Sequence, residues 1–176
     1  DTTMGFSPTG GLVMGTRSGD LDPGVLLYLL QSKGMQAAEV NDLVNRRAGL
    51  LGVSRQTSDM HELLEREAND PQAAEAVELF CYQARKHLAA LVACLGGLDL
   101  LVFTGGIGEH AAPVRQRICR GLAFAGIDLD EGENVRGAPV ISIESSKVTV
   151  RVVSSDEDLI IARHTRRLLW PDEQGT

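Results

Sequence analysis

A strand-like apolar run that empties into glycines and an acid, "LVFTGGIGEH" from Leu101 to His110, is the first place where this sequence could do chemistry. At the carboxyl edge of an α/β sheet, glycines let a ligand approach main-chain amides with no Cβ in the way, and a nucleotide is the natural occupant. The same run also reads as a tight strand-to-helix turn that needs a positive φ. It is not a Walker loop, because GxxxxGK[ST] is absent and no lysine follows. The second stretch is Gly15 to Pro23, "GTRSGDLDP". Arg17, held between glycines, could turn its fork toward a carboxylate or phosphate and stabilise charge developing in phosphoryl transfer. It could equally pair with Asp20 or Asp22 and only pin the loop. The third, Ser154 to Asp158, has serines before acids at a helix start, which is a capping pattern. A carboxylate there could also hold the hydration shell of Mg²⁺.

Other candidates say less. Arg115, Arg117 and Arg120, like Arg163, Arg166 and Arg167, read as solvated helix faces. His61, His87, His110 and His164 have no metal-ligand spacing. Cys81 falls on an apolar stripe and reads as core.

The elements that must position these residues follow from periodicity and punctuation. Residues 1 to 22 read as loop with room for a short strand. Asp22 and Pro23 open a helix running to about Gly34, and a second helix spans about Ala37 to Ala48, stopping at Gly49. Thr57 and Ser58 can cap a short helix through Leu64. From Pro71 to Leu95, Val77, Phe80, Cys81, Ala84, Leu88, Leu91, Val92 and Leu95 recur at three and four residues, one wide stripe on a long helix. Asp99 to Thr104 reads as a strand buried on both faces. A helix over Ala112 to Gly121, a turn-rich stretch over Gly126 to Ala138, and β-branched runs at Val140 to Ile143 and Val148 to Val153 follow, the two runs forming a hairpin or adjacent pair. Ser155 to Trp170 makes a last helix. Helices alternating with strands imply an α/β layered fold with a parallel central strand.

Composition sets the outer limits. The chain has 176 residues, 43% of them hydrophobic, and a formal net charge of −7 with bases scattered among acids. That argues against nucleic acid and anionic membrane as partners and leaves small molecules or proteins. Its longest apolar stretch is too short and too interrupted to span a bilayer. The three cysteines, widely spaced and odd in number, fit a reducing cytoplasm rather than a disulfide framework. The first residue is Asp1, with no initiator methionine and no signal pattern, so the sequence reads as a piece of something longer.

Taken together, "DTTMGFSPTGGLVMGTRSGDLDP" at 1–23, "GVSRQTSDMHELL" at 52–64, "LVFTGGIGEH" at 101–110 and "VVSSDEDLIIARHT" at 152–165 stand in the order and at about the spacing of acetate kinases. The chain resembles the C-terminal part of that family over essentially its whole length. The resemblance implies a ribonuclease-H-like α/β domain of the group shared by sugar kinases, actin and the heat-shock ATPases, with residues 1–176 as the C-terminal nucleotide-binding domain. It implies reversible transfer of the ATP γ-phosphoryl to acetate with Mg²⁺, giving acetyl phosphate and ADP, in a cytoplasmic enzyme that commonly forms a homodimer. By motif match it makes Arg17 the arginine at the transferring phosphoryl group and Gly105, Gly106, Ile107, Gly108 and Glu109 the loop that takes the adenosine. Asp59, Met60 and His61 become a second adenosine-contacting segment, and Glu157 the acid associated with magnesium.

Two positions depart from the family's usual pattern, His61 where arginine is usual and Arg55 where glycine is usual. The resemblance also places the catalytic aspartate, a second arginine, two phosphate-site histidines and the phosphate loop upstream of this chain, in an N-terminal domain. The chain alone is therefore expected to bind nucleotide weakly and not to turn over acetate. A propionate or butyrate kinase, and a non-catalytic nucleotide-binding or dimerisation module, are the other readings that the residues allow.

Overall fold

The computed structural model describes residues 1–170, apart from the side chain of Glu157. Its spine is the helix read from the apolar stripe, here α5 (Pro71–Leu95). Asp70 fixes its start, its Oδ1 accepting the N–H groups of Gln72 (3.0 Å) and Ala73 (3.3 Å), with Pro71 in the first helical position. The first half of the stripe is core: Ala73, Ala76, Val77, Phe80 and Cys81 pack with Leu50 of α3 (Gly49–Ser54), Met60 and Leu63 of α4 (Met60–Arg66), and Val114 and Ile118 of α7 (Ala112–Cys119). Beyond Cys81 the stripe is only half-buried, and Leu95 is exposed. There Leu88 and Ala89 pack against a second cluster built on Cys119, Leu122, Ile127, Ile141, Val148 and Val150, and the last turn stays exposed among the described residues.

Two parallel strands run beside α5, β1 (Leu100–Phe103) and β2 (Thr149–Val152), in the register Leu100 to Thr149 and Phe103 to Val152. The strand expected to be buried on both faces is not. Leu100 and Val102 alternate outward, exposed, while Leu101 and Phe103 turn toward the core. Among the described residues only one face of β1 has elements packed against it. The two β-branched runs do lie side by side: Val140 bridges Arg151 antiparallel, and Ile141 N–H donates to Val150 O at 2.8 Å. Only the second run is a strand, and its ladder partner is β1.

Several elements differ in bounds or kind from the reading of the sequence. Residues 1–22 form no strand. The first two helices are α1 (Pro23–Leu27) and α2 (Ala37–Asp42), each widening into π-helical turns, over Tyr28–Ser32 and Leu43–Arg47. The chain then re-enters a helix at Gly49 rather than stopping there. α4 is capped by Asp59, not by Thr57 or Ser58. The glycine run itself forms α6 (Gly105–His110), and the turn-rich stretch contains α8 (Glu131–Arg136), capped by Asp130. The last helix is α9 (Glu157–Leu169), capped by Asp156. Among the described residues no helix is long and apolar enough to cross a membrane.

Two consequences are measurable. Arg55, at the end of α3, holds the left-handed φ of +60° that glycine adopts without strain. Arg55→Gly is expected to stabilise the chain by about 1 kcal/mol, seen as a higher Tm. Burial pushes the Cys81 thiol up to about 11 and the Cys119 thiol up to about 12, while Cys94 is exposed. A thiol reagent at pH 8 is expected to label Cys94 quickly and the other two only on unfolding; equal labelling of all three would overturn this core.

Candidate functional site

The site is assembled around α6, where the three glycines meet three different demands. Gly105 follows β1 at φ +71°, the left-handed turn that starts the helix. At Gly108 a Cβ would press within 3.3 Å of the Phe103 main chain, so this glycine lets α6 lie on the strand. Gly106 answers to neither: a Cβ there would meet nothing within 4 Å. The space beside it is open.

So short a helix, rich in glycine, is poorly stabilised by its own propensity, and α7 supplies the missing hold. Arg115, expected as a solvated residue, is 1% exposed. Its Nη1 donates to Gly108 O (2.8 Å) and Glu109 O (2.9 Å), carbonyls near the end of α6. Its Nε reaches Asn134 Oδ1 (2.8 Å) and its Nη2 the Asn134 carbonyl (2.7 Å) on α8, while Asn134 Nδ2 donates to Ala112 O (3.0 Å). Burial lowers its pKa, and among the described residues it has no carboxylate partner; helix carbonyls carry the compensation. Arg117 is also not free, since it forks onto Glu67 with both distances 2.7 Å. Arg120, Arg163, Arg166 and Arg167 are exposed, as read. A signal for Arg115 was present: it lies three, four and seven residues before Ile118, Cys119 and Leu122, on their face of the helix.

Across from α6 stands the start of α4. Asp59 Oδ1 accepts the His61 N–H at 2.8 Å, Met60 is buried in the core, and His61 is exposed, its Nδ1 3.6 Å from Glu65 Oε1. Between the two helices lies a cavity of about 780 Å³. Asp59, Met60 and His61 line one side and Gly106 and Ile107 the other, so two segments far apart in sequence meet at one cavity. The size suits a nucleoside-scale ligand.

Gly105 and Glu109 belong instead to a second hollow, of about 590 Å³, shared with Ser155, Asp156 and Asp158. Glu109 Oε1 accepts the N–H of Gly105 (3.0 Å) and both the N–H and Oγ–H of Ser155 (2.9 Å each). Hydrogen bonding, from the Ser155 N–H first and then from the neighbouring serine hydroxyls, holds its carboxyl down at about 2. Asp156 Oδ1 caps α9 through the Leu159 N–H (2.8 Å). Glu157 is the first residue of α9; its side chain lies outside the described residues.

Arg17 sits apart from both, lining a third hollow of about 590 Å³ with Thr9, Asn45 and Arg46. The ion pair with Asp20 or Asp22 does not form. Asp22 Oδ1 caps α1 through Gly24 N–H (2.8 Å), and Asp20 Oδ1 takes Gly11 N–H (2.6 Å). Among the described residues no carboxylate pairs with Arg17; its Nη1 makes only a 3.7 Å contact with Met14 Sδ. The loop is pinned by main chain instead. Ala48, Leu50 and Leu51 N–H donate to the carbonyls of Thr16 (3.1 Å), Met14 (3.0 Å) and Gly15 (2.9 Å). Gly49 makes this approach possible, for a Cβ there would lie 2.1 Å from Met14 O. A half-buried guanidinium with no carboxylate partner among the described residues has the chemistry to accept an anion.

Comparison with known proteins shows the family of the chain. Residues 1–163 match the Acetokinase family. The acetate kinase of Rhodopseudomonas palustris (strain TIE-1) is 54% identical over 169 residues, which are 95% of this chain and 42% of that protein. Among solved structures, an acetate kinase from Porphyromonas gingivalis superposes with a TM-score of 0.87 at 42% identity, covering 95% of this chain and 43% of that one. A propionate kinase from Francisella tularensis subsp. tularensis SCHU S4 gives 0.86 at 37% identity, covering 92% and 42%. The chain thus spans less than half the length of the proteins it matches. Its sequence, its helices and strands, and the motifs that line its hollows make it a member of the acetokinase family.

Proposed function

We propose that this chain is the nucleotide-binding half of an ATP:acetate phosphotransferase, in a ribonuclease-H-like domain, acting with an N-terminal domain of the same enzyme. The observation that carries the reading is the α4–α6 cavity, where Asp59, Met60 and His61 face Gly106 and Ile107. The adenosine lies in that cavity with its phosphates directed toward Arg17, which stabilises charge on the transferring group. The exposed apolar side chains of β1, Leu100 and Val102, and of α9, Ile160 and Ile161, leave a surface on which the N-terminal domain can close. A homodimer rests on the resemblance. The free thiols of Cys81, Cys94 and Cys119 fit the cytoplasm.

The donors around the start of α9 suit Mg²⁺. Glu109, Ser155, Asp156 and Asp158 offer oxygen to one hollow, yet among the described residues no three acids, thiols or imidazoles gather into a cage. An ion that keeps most of its waters and takes one or two carboxylates needs no such cage, and the resemblance assigns Glu157 to it. When bound, the ion would neutralise charge on the phosphate oxygens.

Gly106 gives the test. Because a Cβ at this position meets nothing in the chain, Gly106→Val is expected to leave Tm nearly unchanged in the complete enzyme. The KM for ATP is expected to rise about tenfold or more, since the added methyl groups occupy ligand space. An unchanged KM would remove the nucleotide from this cavity. A propionate kinase is kept as the second reading on the likeness to the Francisella structure. One methylene is worth only about 1–3 kcal/mol, so kcat/KM on acetate and propionate decides between them.

A further inference from the structure

We propose that Glu109 is a positioning residue, its carboxylate clasping the start of α6 to the segment that leads into α9 and so fixing the nucleoside cavity relative to the acids on the other side of the helix. This rests on the phosphotransferase reading and reassigns Glu109 within it, from a group that meets the adenosine to one that holds the frame around it.

The geometry divides α6 between two tasks. Ile107 lines the α4–α6 cavity alone and Gly106 and His110 border both hollows, whereas Glu109 is absent from the lining of that cavity and stands in the hollow shared with Ser155, Asp156 and Asp158. One oxygen, Oε1, gathers hydrogen bonds from two segments 46 residues apart: the Gly105 N–H at the start of its own helix, and the N–H and Oγ–H of Ser155. The last rung of the sheet is Val153 N–H to Phe103 O at 2.9 Å. Beyond that rung both chains leave the strands, and Glu109 ties them again just before Asp156 caps α9. A nucleotide contact by the same oxygen would compete with donors already satisfied, in bonds that are strong because the acceptor is charged.

Phosphoryl transfer gives such a clasp its effect. With little covalent chemistry for the protein to perform, rate depends on alignment, and a shift of about 1 Å can cost about 10²-fold. Adenosine binds on one side of α6 and the acids of the α9 start lie on the other. A loosened clasp therefore spoils their alignment while leaving the nucleoside cavity standing.

The experiment compares Glu109→Ala and Glu109→Gln with wild type in the complete enzyme, reading kcat, the KM for ATP, and the amide exchange of Gly105 and Ser155 without nucleotide. Glu109→Ala is expected to lower kcat by about 10²-fold, to change KM less than about threefold, and to speed exchange at both amides by about tenfold. Glu109→Gln keeps the accepting oxygen without its charge and is expected to recover most of kcat and of the protection. Unchanged exchange in the alanine variant, a raised KM with kcat preserved, or a glutamine variant as impaired as alanine would each overturn the clasp. Exchange needs no nucleotide, so failure of the clasp is seen in the amides. Failure of the phosphotransferase reading is seen in wild-type enzyme without carboxylate-dependent ATP turnover.

Discussion

Arg17→Ala in the complete enzyme is expected to lower kcat by about 10³-fold or more while changing the KM for ATP only a few-fold. The split follows from where the residue sits. Arg17 lines its own hollow and is absent from the lining of the cavity between α4 and α6, so on the proposed reading it does not contact the nucleoside. Its loop will not collapse when the side chain goes, because Met14, Gly15 and Thr16 are tied by their carbonyls to Leu50, Leu51 and Ala48. With no carboxylate pairing it among the described residues, the guanidinium holds nothing together and is available to an anion. Arg17→Lys keeps the charge but loses the planar fork, and an intermediate loss of about 10²-fold is expected. A non-catalytic nucleotide-binding module predicts the opposite pattern, with turnover indifferent to residue 17. Steady-state kinetics of the two variants, with melting curves to verify folding, separates the readings.

What could be read from the sequence was whatever is local or strongly periodic. The α5 stripe, the Asp22–Pro23 start of α1 and the β1 run depend on neighbours within a turn or two, and each was found near its expected place. The motifs around Arg17, Asp59 and Gly105 stood out through their order and spacing as a family pattern, since the residue types of each alone left a loop-pinning or turn reading open. What was illegible is stabilised from a distance. α6 looks like a loop because its glycines disfavour a helix, and the groups that hold it, Arg115 from α7 and Ser155 from beyond β2, are invisible in its own segment. α8 hid for a similar reason: six residues show too little periodicity, and Asn134 gains its meaning only from Arg115. The two-sided burial expected for β1 failed because an apolar run reports affinity for a core, not how many of its faces the described chain covers.

Arg115 is where that hidden tertiary support can be weighed. Arg115→Ala is expected to destabilise the chain by about 4 kcal/mol, against about 1 kcal/mol for Arg117→Ala two residues later. At 1% exposure, Arg115 satisfies four acceptors, the carbonyls of Gly108, Glu109 and Asn134 and the Asn134 side chain, and its removal strands them beside a new cavity. Arg117 makes a well-formed fork with Glu67, but both partners reach water and can be resolvated when the pair is broken. Arg115→Lys brings a charge without the five-donor fork and is expected to recover only part of the loss, about 2 kcal/mol remaining. Denaturant melts of the three variants read these values directly. Because α6 hangs from the same side chain, Arg115→Ala should also weaken nucleotide binding in whatever fraction stays folded, an effect Arg117→Ala should lack. A loss below about 1 kcal/mol at Arg115 would mean that α6 keeps its place without the clamp, and that its glycines are held by the strand below them alone.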